Sequence, residues 1–131
     1  MKDARVYVAS AGYHELFING ERVGTNYLDP GYTHFDKRIL FVTHDVTSLL
    51  KQGDNAVAAV LGNGWHNEQS VAVWNFHEAH WRDRPRLLCE LRITYTDGTT
   101  EVIDPFQRLG GWRVAGSGLG RCHVYHPERL V

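Results

Sequence analysis

The sequence predicts an all-β domain, a β-sandwich or jelly roll with one short helix. Three observations lead there. Short runs rich in β-branched and aromatic residues recur along the chain, separated by Gly, Pro, Asn and Asp at regular spacing. Leu87, Cys89, Leu91, Ile93 and Tyr95 alternate with Glu90, Arg92 and Thr94, so one long strand has a buried face and a wet one. Asn19-Gly20 accepts positive φ at both central positions of a type I′ turn, the tightest hairpin connection.

In chain order, Arg5 to Ser10 and Tyr13 to Ile18 are the first two strands, and the Asn19-Gly20 turn returns the second through Glu21, Arg22 and Val23. Residues 28–36, with Asp29-Pro30-Gly31 and the rings of Tyr32, His34 and Phe35, have the composition of a loop with large side chains, and such loops often face ligands. Ile39 to Thr43 is a strand. Residues 45–51 offer capping groups and one helical turn before Gly53 stops it, which places the short helix there. Asn55 to Leu61 is apolar with little alternation, as a central strand covered on both faces would be. After the strand at 86–95, Thr96-Asp97-Gly98-Thr99 turns the chain so that residues 100–104 pair back.

The 131 residues form one module over 1–131, because a chain of this length buries about two-thirds of its unfolded surface in a single core. Apolar residues are 43% and charged residues 22%, as in folded globular proteins. Fourteen basic against fifteen acidic residues give a net charge of -1, which lacks the electrostatic footprint of nucleic-acid binding. No apolar run approaches the roughly 20 residues of a membrane span, and Met1 to Arg5 lack the apolar stretch of a signal peptide. Met1 stands just before a strand-like run and Val131 ends without linker composition, as expected of a segment excised from a longer chain. Cys89 and Cys122 are expected to be buried free thiols.

The residues that suggest chemistry lie in 61–81. Leu61-Gly62-Asn63-Gly64-Trp65-His66-Asn67-Glu68 is followed by Trp74-Asn75-Phe76-His77-Glu78-Ala79-His80-Trp81, joining indoles, amides and turn glycines. Rings stack on the C–H face of a pyranose while amides and carboxylates fix its hydroxyls, so this lining suits a sugar. The alternative is that Trp65, Trp74 and Trp81 belong to the core or to an interdomain contact. His66, His77 and His80 match no zinc-enzyme spacing. Glu68, Glu78, Asp29 and Asp36 supply loop carboxylates, but a glycosidase needs two of them across one bond and nothing pairs them here. Asp29, Asp36, Asn63 and Asn67 offer hard oxygen ligands to calcium, without EF-hand spacing.

The run from Gly12 to Gly24, then Leu28-Asp29-Pro30-Gly31-Tyr32-Thr33, Asp45-Val46-Thr47 and Leu61-Gly62-Asn63-Gly64-Trp65, resembles the N-terminal β-sandwich domain of bacterial α-L-rhamnosidases. Arg84-Pro85-Arg86, residues 95–99 and Gly111-Trp112-Arg113 fit the same resemblance. Tyr32 stands where the family usually has Trp and Asn63 where it has Asp. Past Trp112 the pattern departs: Pro127 replaces a family glycine and residues 116–120 follow no family pattern, so the closing strand is expected to be truncated or atypical.

The resemblance implies a galactose-binding-like jelly roll preceding the (α/α)6 barrel of an inverting glycoside hydrolase, whose acid and base lie in that barrel. The chain is then no enzyme by itself. It is expected to serve as an accessory domain, binding rhamnosides or supporting the barrel. The expected ligand-facing group is Tyr32, Asn63, Trp65, His66 and Asn67. Partners are L-rhamnose-containing carbohydrate and the remaining domains of the parent, with self-association through an exposed interdomain surface. No cofactor is required, and calcium is the candidate ion.

Overall fold

The computed structural model describes residues 1–71, 73–104 and 121–125, with the backbone alone for Val73 and for 121–125. Eight strands run in the order β1 (Asp3–Ala11), β2 (Tyr13–Ile18), β3 (Glu21–Arg22), β4 (Phe41–Asp45), β5 (Asn55–Gly62), β6 (Arg86–Thr94), β7 (Thr100–Ile103) and β8 (Arg121–Tyr125). They form two four-stranded antiparallel sheets, β4-β1-β6-β7 and β3-β2-β5-β8. Among the described residues no helix is long and apolar enough to cross a membrane. Gly111-Trp112-Arg113, residues 116–120 and Pro127 lie outside the described residues, as does the side chain of Cys122.

Alternation explains the sandwich. Ala4, Val6 and Val8 from β1 and Cys89, Leu91 and Ile93 from β6 face Leu16 and Ile18 from β2 and Val57 and Ala59 from β5 in one buried cluster. Each Val, Leu or Ile so placed contributes about 1.5–3 kcal/mol relative to an exposed position. The expected wet side of β6 is there too: Arg92 is exposed and Glu90 half-buried. β5 lies between β2 and β8, centrally as its composition suggested. Asn19 (φ 54) and Gly20 (φ 88) form the expected tight turn, pairing Ile18 with Glu21. The second hairpin pairs Thr94 with Thr100.

Two expectations need correction. Residues 45–51 do not form a helix: one turn closes through Leu49 N and Leu50 N on the Val46 carbonyl, at 3.0 and 3.3 Å, and goes no further. Val46 is fully buried and pinned through its own N–H to the Ala4 carbonyl, so the segment is tied to the sheet, and a single turn never repays helix nucleation. The strand placed at 39–43 begins two residues later, at Phe41. The only helical segments described are 3₁₀ turns at Gly64–Asn67 and Val73–Glu78, the latter kinked by left-handed Trp74 and Asn75.

The two ends of the sandwich differ. At one, Asn55 is 2% exposed and satisfies all its amide groups: Oδ1 accepts from Asn19 Nδ2 (2.8 Å) and Lys51 N (2.9 Å), and Nδ2 donates to the Lys51 and Gly53 carbonyls. At the other, Gly12 alone carries the chain from β1 in one sheet to β2 in the other. Its φ is +102°, and a Cβ there would lie 2.3 Å from the Gly62 carbonyl oxygen. Ser10 Oγ lies within hydrogen-bond distance of both the Gly12 carbonyl, at 3.1 Å, and His14 Nδ1, at 2.8 Å. The long connections 23–40 and 63–85 both reach this end, where Asp29 bridges His14, Gly62 pairs with Tyr13 and Arg86 pairs with Ala11.

Candidate functional site

Strand β5 ends beside the Gly12 corner, and the chain turns immediately into the 3₁₀ segment Gly64–Asn67. Gly64 has φ +51°, and its missing side chain leaves room for the Tyr13 ring, whose Cε2 would stand 2.9 Å from a Cβ. The result is an open cleft of about 330 Å³ lined by Tyr13, Asn63, Gly64, Trp65, Asn67, Glu68 and Gln69. Two rings and four hydrogen-bonding side chains therefore share one concavity, at the lower end of ligand-site volumes and sized for a single small ring.

The polar groups are ordered by one another. Gln69 Nε2 donates to Asn67 Oδ1 at 2.9 Å, and Asn67 Nδ2 donates to Asn63 Oδ1 at 3.2 Å. Glu68 Oε1 accepts from Ser70 N (3.0 Å), Ser70 Oγ (2.9 Å) and Gln69 N (2.9 Å). The Ser70 bonds, backbone first, hold this carboxyl below its ordinary range, so it is ionised rather than poised to give a proton.

Behind the cleft the rings form a continuous cluster. Trp65 meets Phe76 edge-on at 5.5 Å and Trp74 at 6.4 Å, and Phe76 meets Tyr32 at 5.5 Å and Trp81 at 6.1 Å. Phe35 packs edge-on against Tyr32 and His66, at 5.6 and 5.2 Å. Asp36 pairs with His34 on its own loop and with His80 Nε2 at 3.2 Å, tying connection 23–40 to 63–85. The His34 hydrogen bond, with the His80 bond a smaller contribution, lowers the Asp36 pKa.

Of the five residues expected to face ligand, Asn63, Trp65 and Asn67 line the cleft. Tyr32 is not part of that lining and joins the ring cluster through Phe76, which Trp65 also contacts. His66 is buried, its ring against Phe35, and burial lowers its pKa against the opposing pull of Asp83. Tyr13, Glu68 and Gln69 complete the lining. Tyr13 reads in sequence as a strand residue, and only the sheet crossing at Gly12 brings it to Gly64. The neighbouring glycines at 12, 62 and 64 were the available signal.

Of the four calcium candidates, Asn63 and Asn67 bond each other, Asp36 holds the two histidines, and Asp29 pairs with His14 through its backbone. Among the described residues no three His, Cys, Asp or Glu side chains converge as metal ligands, which covers His66, His77 and His80 as well. Glu78 is exposed beside His77 at 3.6 Å.

Residues 1–130 match the protein family described as the α-L-rhamnosidase N-terminal domain. The α-L-rhamnosidase of Streptomyces avermitilis is 41% identical over 125 residues, which are 95% of this chain and 12% of that protein. That of an Alteromonas species is 35% identical over 129 residues, 97% of this chain and 13% of the relative. The chain thus spans about an eighth of the length of these relatives. Among solved structures, the S. avermitilis α-L-rhamnosidase complexed with L-rhamnose superposes with a TM-score of 0.68 at 40% identity, over 78% of this chain and 10% of that one. The native enzyme from Aspergillus terreus gives 0.70 at 34% identity, over 78% and 12%.

Proposed function

The chain belongs to the α-L-rhamnosidase N-terminal domain family, and on that premise we propose that it is a non-catalytic accessory module whose Tyr13–Trp65 cleft binds the sugar of a rhamnoside. The observation that carries this reading is the cleft itself, where two rings stand among two asparagines, a glutamine and an ionised carboxylate. L-Rhamnose, a 6-deoxy sugar with an apolar methyl-bearing edge and adjacent hydroxyls, offers the matching surfaces. A relative described in complex with L-rhamnose makes it the sugar to test first.

The experiment is an NMR titration of the chain with L-rhamnose, with calcium and with EDTA. Saturable amide shifts confined to residues 13 and 63–70, abolished by Trp65→Ala, are expected. A calcium requirement would assign the ion to this loop end. A flat response under both conditions refutes sugar binding and leaves the module a support for the catalytic barrel.

A separate observation favours a docking role alongside. On the outer face of the first sheet, Phe41, Ala9 and Leu88 are paired in one row, and Phe41 and Leu88 are 63% and 60% exposed, next to exposed Ile39 and Leu40. An apolar row of this kind marks a contact surface. We assign it to the remaining domains of the parent enzyme. The chain alone should then self-associate in sedimentation velocity, and Phe41→Ser with Leu88→Ser should restore the monomer. A wild-type monomer at high concentration argues against this assignment.

A further inference from the structure

The cleft has a direction and a sign. In the amide series Gln69 donates to Asn67 and Asn67 to Asn63, so the Oε1 of Gln69 remains as an acceptor at one end and the Nδ2 of Asn63 as a donor at the other. Glu68 adjoins the acceptor end. Its Oε1 is saturated by Ser70 and Gln69, while its Oε2 accepts from no described group. Arg82 is the cation acting on Glu68, but its guanidinium donates to the His77 carbonyl and does not line the cleft. Among the described residues no lysine or arginine lines the cleft.

Resting on the sugar-site reading above, we propose that the cleft selects uncharged sugars in one orientation and rejects uronic acids. Glu68 Oε2 and Gln69 Oε1 accept from neighbouring hydroxyls, Asn63 Nδ2 donates to a ring or ether oxygen, and Tyr13 and Trp65 pack on the C–H face. An adjacent hydroxyl pair supplies the donors this end lacks. A sugar carboxylate brings a second negative charge to the fixed one, with no lysine or arginine among the described lining residues to pair with it, and Arg82 outside the cleft and water at the open mouth offset the repulsion only in part.

The test compares L-rhamnose with D-galacturonate on the intact chain at one ionic strength, read by amide shifts and tryptophan fluorescence. L-Rhamnose should saturate, and D-galacturonate should bind weaker by on the order of tenfold or more. Glu68→Gln, which keeps an oxygen for Ser70 while removing the charge, should weaken L-rhamnose by on the order of tenfold and narrow the gap to galacturonate. Asn63→Asp, which keeps the oxygen Asn67 uses and removes the donor, should weaken L-rhamnose and widen that gap. The Ser70 amide shift reports whether the 68–70 turn survives substitution, and where Glu68→Gln disturbs it Asn63→Asp decides. Equal affinity of the wild type for both sugars, or folded variants that bind as the wild type does, overturns the selectivity while sugar binding stands. No response to either sugar overturns the sugar site and this inference together.

Discussion

Replacing Asn55 by aspartate keeps the shape of the side chain and should still cost more than deleting it. Oδ1 would go on accepting from Asn19 Nδ2 and Lys51 N. The second oxygen, however, would face the carbonyls of Lys51 and Gly53, which now lie 2.8 and 2.9 Å from a donor. Two hydrogen bonds lost at about 1 kcal/mol each, together with about 1–2 kcal/mol for an acceptor buried against acceptors, give about 3–4 kcal/mol near neutral pH. Asn55→Ala loses all four bonds but returns the groups on Lys51 and Gly53, both exposed residues, to water. Its cost should be about 2–3 kcal/mol. Urea denaturation followed by tryptophan fluorescence resolves the two, since a loss of about 3 kcal/mol with a slope near 1.5 kcal/mol/M moves the midpoint by about 2 M. An aspartate variant within about 0.5 kcal/mol of the wild type, or an alanine variant that is the weaker of the two, refutes the role given to the amide donor.

Three further outcomes follow from the same contacts. Burial pushes the Cys89 thiol up to about 12, so in a Cys122→Ser background a disulfide reagent at mildly alkaline pH should react only at the rate of unfolding, and prompt reaction would contradict the packing. Burial, opposed by Asp29, lowers the His14 pKa from 6.5, so the folded state binds this proton less readily than the unfolded one. Its contribution is complete above 6.5 and lost as pH falls through that value; His14→Gln should flatten the fall in urea midpoint between about pH 7.5 and pH 5, and an unchanged slope would refute it. Gly12→Ala forces a Cβ onto the Gly62 carbonyl at positive φ, so it should cost at least about 2–3 kcal/mol, and a neutral result in the same urea assay would show that the corner can relax.

What was legible in the sequence was the part decided by neighbours along the chain. Asn19-Gly20 encodes its turn because both residues tolerate positive φ, and β6 encodes its two faces because residues two apart share a side. Residues 45–51 misled for the complementary reason: their local capping groups are real, with Asp45 Oδ1 accepting from Thr47 N and Oγ, but Val46 is held by β1 across the sheet. The candidate site was read in part. Asn63, Trp65 and Asn67 share the 3₁₀ segment and its start, so their grouping was local. Tyr13 comes from fifty residues earlier, and Glu68 read as one loop carboxylate among many until its bonds to Ser70 and Gln69 were seen. His66 sits between cleft residues in sequence, yet the short turn rotates its ring inward onto Phe35.

The separation between the Asn19–Asn55 end and the ring-lined end bears on how such a domain can change. Amides that anchor the scaffold share no hydrogen bond with the loops that shape the cleft, so exchanges at 63–70 or 74–81 leave that anchorage intact. Lineages can revise what the cleft accepts by trading a few loop side chains. The opposite end keeps the register against which each trial is held, which makes the module a ready host for grafted specificities.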